Sequence, residues 1–364
     1  MRARSTLCFF PFCLLSAAAL AQEGEVSPDP NAIAPDIGSA VIQGFVDPVL
    51  GALSETSATL ASSMEELCRA PSADALQSAR DAFAETVPAW GYVSVLRFGP
   101  LVRENRFERV FFWPDPRGVT LRQVQGLLAS DAPLSADVAG QSVALQGLPA
   151  LEYVLYGTGA EAIAEAGDGE RRCAYGVSIA ANVEAIVDTL VEGWSEGTSF
   201  HKAFTDPAPD LDPYRSGEEV AAEIVKAAGT ALQFVRNAEL LPALGDAPEK
   251  AQGRRAPFWR SGQSFAFAAA QLDGVDQLVH AAGFVDGTSD LVNGYGRAMV
   301  FDVSHARDAL ASVEAEPEQA FAAPEDRSRI SYATVAMEGA KHTLNGELSG
   351  ALGLVMGFNA LDGD

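Results

Sequence analysis

The sequence predicts an all-α protein built as two packed four-helix-bundle-like domains. Three observations carry that prediction. Apolar residues recur at steps of three and four along most of the chain. No long alternating, strand-like pattern occurs anywhere. A segment rich in proline and aspartate interrupts the helical periodicity near the middle. Alanine is abundant in the apolar stripes, where it favours helix and lets helices pack closely. Hydrophobic residues make up 48% of the chain, ample for a core.

The elements follow in order. Residues 1–21 read as a signal peptide: Arg2 and Arg4 precede an apolar run from Leu7 to Leu20 that ends in Ala19-Leu20-Ala21, a small-x-small cleavage site. Cleavage would leave Gln22 first and deliver a secreted, periplasmic product. Cys13 follows Pro11-Phe12 and lacks the small residues an acylation site needs. No later segment reads as long and apolar enough to span a membrane. Residues 22–205 are expected to form an N-terminal helical bundle. Val46, Val49, Leu50, Leu53, Leu60, Met64 and Leu67 mark one helix face. Ser72 is the expected N-cap of the next helix, whose face is Leu76, Ala79, Phe83, Val87, Trp90 and Val93. Tyr175, Ile179, Val183, Ile186, Leu190 and Trp194 make a third stripe. Residues 206–216, with Pro207, Pro209 and Pro213, read as a linker. Residues 217–364 are expected to form a C-terminal helical bundle. It starts with Val220, Ile224, Ala228, Ala231 and Val235, passes a second loop from Leu241 to Arg260, and continues with helices near 263–283, 288–315 and 326–350.

Charge and cysteine content narrow the function classes. The formal charge is −24, which repels nucleic acid and anionic lipid and keeps the protein soluble. Cys8 and Cys13 fall in the leader. Cys68 and Cys173 remain as an even pair in an oxidising compartment, and a disulfide between them is predicted, two buried thiols being the alternative.

Two segments could carry chemistry. The first runs from Arg97 to Gln125 and crowds Arg97, Arg103, Arg106 and Arg109 together with Trp113 and Asp115 in an otherwise acidic chain. Arginine forks pair with carboxylates, so this segment would hold an anion or orient carboxylates, or brace an irregular loop. The second is Gln146–Gly157. Pro149 places a helix start or kink there, and Glu152 lies among Leu148, Leu151, Val154 and Leu155. A carboxylate buried in such company needs a partner, and the arginines between Arg97 and Arg122 are the expected ones. A surface glutamate is the other reading. Asp273, Asp276 and His280 stand at i, i+3 and i+7, a spacing that could present metal ligands but that a solvated helix face explains better.

The second segment resembles the Gly-x-His-x-x-Glu motif of the imelysin family. Gly147 and Glu152 match the ends of the motif, and Pro149 stands at the histidine position. Arg97-Phe98-Gly99-Pro100, Phe112-Trp113-Pro114-Asp115 and the closing segment from Gly357 to Asp364 also resemble this family. The resemblance implies two four-helix bundles with a site at their junction, in an exported or envelope-anchored protein. It implies a link to iron uptake for some members and peptidase activity for the founding ones. A ligand site at Gly147, Glu152, Arg97, Arg103, Arg106, Trp113 and Asp115 is therefore expected. Iron or another divalent metal is the cofactor to consider, with Glu152, Asp273, Asp276 and His280 as ligands to test. The expected partners are a small ligand or metal ion and an envelope protein of an iron-uptake system. The leading expectation is a binding or accessory protein without peptidase activity. A metal-dependent peptidase using Glu152 and an envelope scaffold are the alternatives.

Overall fold

The computed structural model describes residues 32–354 apart from 132, 133, 135–137, 166 and 168. Residues 1–21, read above as a leader, and the closing segment from Gly357 lie outside these residues. Among those described, helix is the regular structure throughout and no strand occurs.

Helix α1 (Ile37–Val41) runs through one π turn into α2 (Asp47–Arg69), so the first stripe belongs to a rod that starts earlier than its apolar pattern suggested. Ser72 caps α3 (Ala73–Val93) by accepting from the Ala75 amide at 3.1 Å. An irregular stretch with a 3-10 turn leads to the short α4 (Arg106–Val110), then α5 (Val119–Leu128). Helix α6 (Leu148–Tyr156) starts one residue before Pro149, in the first turn, where a proline removes no helical hydrogen bond. Next come α7 (Glu170–Trp194) and α8 (Ser199–Thr205). Helices α2 and α7 are antiparallel neighbours, and the Cys68–Cys173 disulfide joins the end of one to the start of the other across a Cα–Cα distance of 5.6 Å.

Residues 206–216 cross to the second half as a loop, with Tyr214 buried against Phe200 and Phe204. Ser216 then caps α9 (Gly217–Phe234), which continues through a π turn (Val235–Leu240) into α10 (Leu241–Leu244). After two 3-10 turns follow α11 (Ser264–Ala281), α12 (Asp290–Ala311), α13 (Pro317–Ala320), α14 (Pro324–Thr343) and, past another π turn, α15 (Ser349–Ala351). Helices α2, α3, α6 and α7 pack as one bundle, and α9, α11, α12 and α14 as the other.

The bundles meet where α3 lies on α11. Small residues set that approach: a Cβ on Gly91 would come within 2.9 Å of the Ala270 methyl, and one on Gly274 within 3.0 Å of Val95. Phe111 caps one end of the seam, with its ring centroid 5.3 Å from Phe258 and 5.0 Å from Phe267. Ile37–Arg69 and Glu170–Trp194 are in fact long and apolar enough to cross a membrane by length and composition, contrary to the sequence reading. Their apolar faces have another use. Leu53, Leu60, Met64, Leu67, Ile179 and Leu190 are all buried in the core.

Candidate functional site

A cavity of about 470 Å³ opens at the seam of the bundles. One wall comes from the segment before α5 and the first turns of α6, the other from the end of α9, its π turn and the loop before α11. The lining is largely apolar. The aromatic residues Trp113, Tyr153, Phe234, Phe258 and Trp259 line it, and Pro114, Pro149 and Pro242 add rigid surface. Concave, apolar sites with a few convergent polar groups are where small ligands bind.

Glu152 is the buried acid of this cavity, 3% exposed. Its Oε1 accepts three hydrogen bonds: from the Arg260 amide at 2.9 Å, the Ser261 amide at 3.0 Å and the Ser261 hydroxyl at 3.0 Å. Its Oε2 lies 3.8 Å from Arg260 Nη1. Burial pushes the carboxyl above its ordinary range, while the Ser261 and Arg260 contacts pull the other way. The expected partner was an arginine between 97 and 122. The structure instead brings the loop after residue 256 from the opposite bundle. That loop turns at Phe258, whose φ of +55° is unusual for a bulky side chain. Arg260 spreads over the rings of Trp259, at 4.4 Å, and Tyr153, at 5.5 Å.

The other sequence-derived candidates have separate places. Trp113 lines the cavity, follows Phe112 into a cis peptide with Pro114, and donates from Nε1 to the Ala238 carbonyl at 2.9 Å. Asp115 also lines the cavity, but both carboxylate oxygens are engaged by the amides of Val119 and Thr120 at the start of α5. Gly147 is a packing residue: a Cβ there would sit 2.2 Å from the Val110 carbonyl oxygen. Arg97 lies between the rings of Phe107 and Phe234, at 3.7 and 3.8 Å, and burial lowers its pKa to about 10. Arg103 stands over Phe200, and Arg106 donates to the Pro100 carbonyl and pairs with Glu104. None of these three arginines lines the cavity. They brace the irregular stretch, which was the structural alternative.

The donor set does not fit a catalytic metal. Pro149 lines the wall where the motif would place a histidine, and Glu152 Oε1 is saturated by N–H and O–H donors. Among the described residues, no three His, Cys, Asp or Glu side chains are grouped so as to hold an ion. On α11, Asp273 is engaged by Arg307 at 2.7 Å and by the Tyr92 hydroxyl at 2.9 Å, while Asp276 pairs with His280.

Sequence reading missed Arg255, Trp259, Arg260, Ser261 and Thr120. The first four lie in and beside a stretch treated only as a connection, although from Lys250 to Arg260 it carries four cationic residues and no acidic one. Thr120 is nine-tenths buried, lines the cavity, and its hydroxyl has no hydrogen-bond partner among the described residues.

No curated protein shows a significant match to the chain. Among solved structures, an imelysin-like protein from Psychrobacter arcticum 273-4 superposes with a TM-score of 0.71 at 19% identity, covering 92% of this chain and 100% of its own. A protein described as a candidate iron-regulated protein A precursor, from Parabacteroides distasonis ATCC 8503, gives 0.70 at 14% identity, covering 89% and 97%. At such identities these structures share the fold. The Imelysin family model, Peptidase M75, matches residues 48–344 and so takes in both bundles and the whole cavity wall. The chain belongs to the imelysin family.

Proposed function

We propose that this chain is an exported binding or accessory protein of bacterial iron acquisition, holding a ligand in the cavity between its bundles without peptidase chemistry. The observation that carries the reading is the cavity itself. It is apolar, is walled by both bundles, and contains a buried carboxylate whose charge is met by protein donors and not by a nucleophile-activating set. The iron link rests on the description of the Parabacteroides structure and on the family. Export rests on the leader-like first residues and is consistent with the disulfide. An envelope partner belongs to the same proposal.

Native mass spectrometry of gently purified protein, with elemental analysis and iron titration, tests the binding role. A bound mass that is lost in Glu152→Ala, with the helical circular dichroism unchanged, is the expected result. Equal binding by wild type and variant, with only a lower melting temperature in the variant, would make Glu152 purely structural. The peptidase label of the family gives the second reading its standing. Chelator-sensitive casein hydrolysis that disappears in Glu152→Ala would favour it over ours.

A further inference from the structure

The cavity's cationic lining comes from one stretch of the chain. Between Lys250 and Leu272 the chain contains no acidic residue, in a protein of net charge −24. Arg254, Arg255 and Arg260 from this stretch all line the cavity. Two of them are committed. Arg254 bonds Glu318 at 2.6 Å and faces Trp259, and Arg260 serves Glu152 and the two rings beside it. Arg255 is exposed, and among the described residues no carboxylate pairs with it. The same cavity is lined by five aromatic rings, two of which, Trp259 and Tyr153, lie beside Arg254 and Arg260.

We propose that the cavity takes a small organic anion with a flat, aromatic body, whose carboxylate is received by Arg255. This rests on the ligand-binding reading above and names the class of ligand. The lining supplies surface for a planar apolar body, since aromatic side chains favour stacked and edge-on contact with another ring. Arg255 supplies the charge. A guanidinium takes a carboxylate through two parallel N–H···O bonds, and its head is weakly hydrated, so it loses little on contact. Both Asp115 oxygens and Glu152 Oε1 are already engaged by protein donors.

The test is calorimetric titration of the whole purified protein with three probes of one shape: indole-3-acetate, indole-3-acetamide and tryptamine. The anion is expected to bind tightest. Arg255→Gln should weaken it about tenfold or more, the scale of one charge-assisted hydrogen bond, and leave the neutral probe unchanged. Arg255→Lys should recover part of the loss. Arg255 is exposed, so neither substitution threatens folding, and circular dichroism checks this. Equal binding of all three probes, or a preference for tryptamine, overturns the anion assignment and leaves the cavity reading standing. Binding by none of them overturns the assignment and counts against the cavity as an aromatic-ligand site as well.

Discussion

Glu239→Gln should remove a pH dependence of stability that the wild type carries between about pH 4.5 and pH 8. Glu239 lies in the π turn after α9 and is 0% exposed. Both its carboxylate oxygens accept from Gln271 Nε2, at 3.0 and 2.9 Å, and the Arg97 guanidinium adds a favourable charge at longer range. Burial outweighs these contacts and raises its pKa to about 8. An unfolded glutamate titrates at about 4.3. Across the interval between the two values the folded protein holds a proton that the unfolded chain has released. Stability from this group is therefore fully present below the lower value and falls as pH rises through the folded pKa. Each pH unit is worth roughly 1.4 kcal/mol, so the ceiling is roughly 5 kcal/mol. Relaxation and water entry bring the expected loss to roughly 2–3 kcal/mol.

Urea unfolding of wild type and variant at pH 5, 7 and 9 reads this directly. Other carboxyls raised by burial, Glu152 and Asp276 among them, share the wild-type slope, and subtracting the variant's curve removes their part. At pH 5 the two proteins should agree to within about 1 kcal/mol, since the glutamine replaces a neutral carboxyl of the same shape. At pH 9 the variant should be the more stable. Parallel curves, or a variant that is less stable at pH 9, would show that the carboxylate is ionised and held by Arg97, and the reasoning would fail.

Three further outcomes are expected. Gly147→Ala drives a methyl into the Val110 carbonyl, and denaturant melts should show a loss of roughly 2–3 kcal/mol; a neutral result would mean that α4 and α6 can part without penalty. Cys68→Ser with Cys173→Ser opens a bridge between residues 105 apart in sequence. The chain-entropy argument puts the loss at up to about 4–5 kcal/mol, and unreduced mass spectrometry of the wild type should find no alkylatable thiol. Pro149→His restores the family's motif residue on the cavity wall, and zinc or iron titration should show little gain in affinity. A tight new site would mean that the rest of a ligand shell survives there.

Much of the fold was legible because long helices write their burial into periodic sequence. The stripes at 49–67, 76–93 and 175–194 fall on α2, α3 and α7, with Val46 in the π turn before α2, and Ser72 is a side-chain cap. The π turns at 42–46, 235–240 and 344–348 were not legible, since a single wider turn shifts the stripe without breaking it. Glu239 escaped for that reason, although its neighbours Phe234, Val235, Leu240 and Leu241 gave the same signal that drew attention to Glu152.

Glu152 itself shows where sequence reading stops. That it must be buried and must be met follows from its neighbours, but its partners are not side chains alone. The oxygen that matters is held by the main-chain amides of Arg260 and Ser261, more than a hundred residues away. An amide N–H is present at every residue except proline, so it leaves no mark in the composition of the segment that supplies it. What the sequence does show is a stretch of arginines and aromatics with no helical period, closed by Gly262; the left-handed backbone at Phe258 that helps aim those amides is visible only in the structure. Arg260→Ala should therefore leave both backbone bonds to Glu152 in place and remove only the cation. Arg260→Pro would remove one of the amides and should displace the carboxylate, a difference that the melting temperature and ligand binding of the two variants would report.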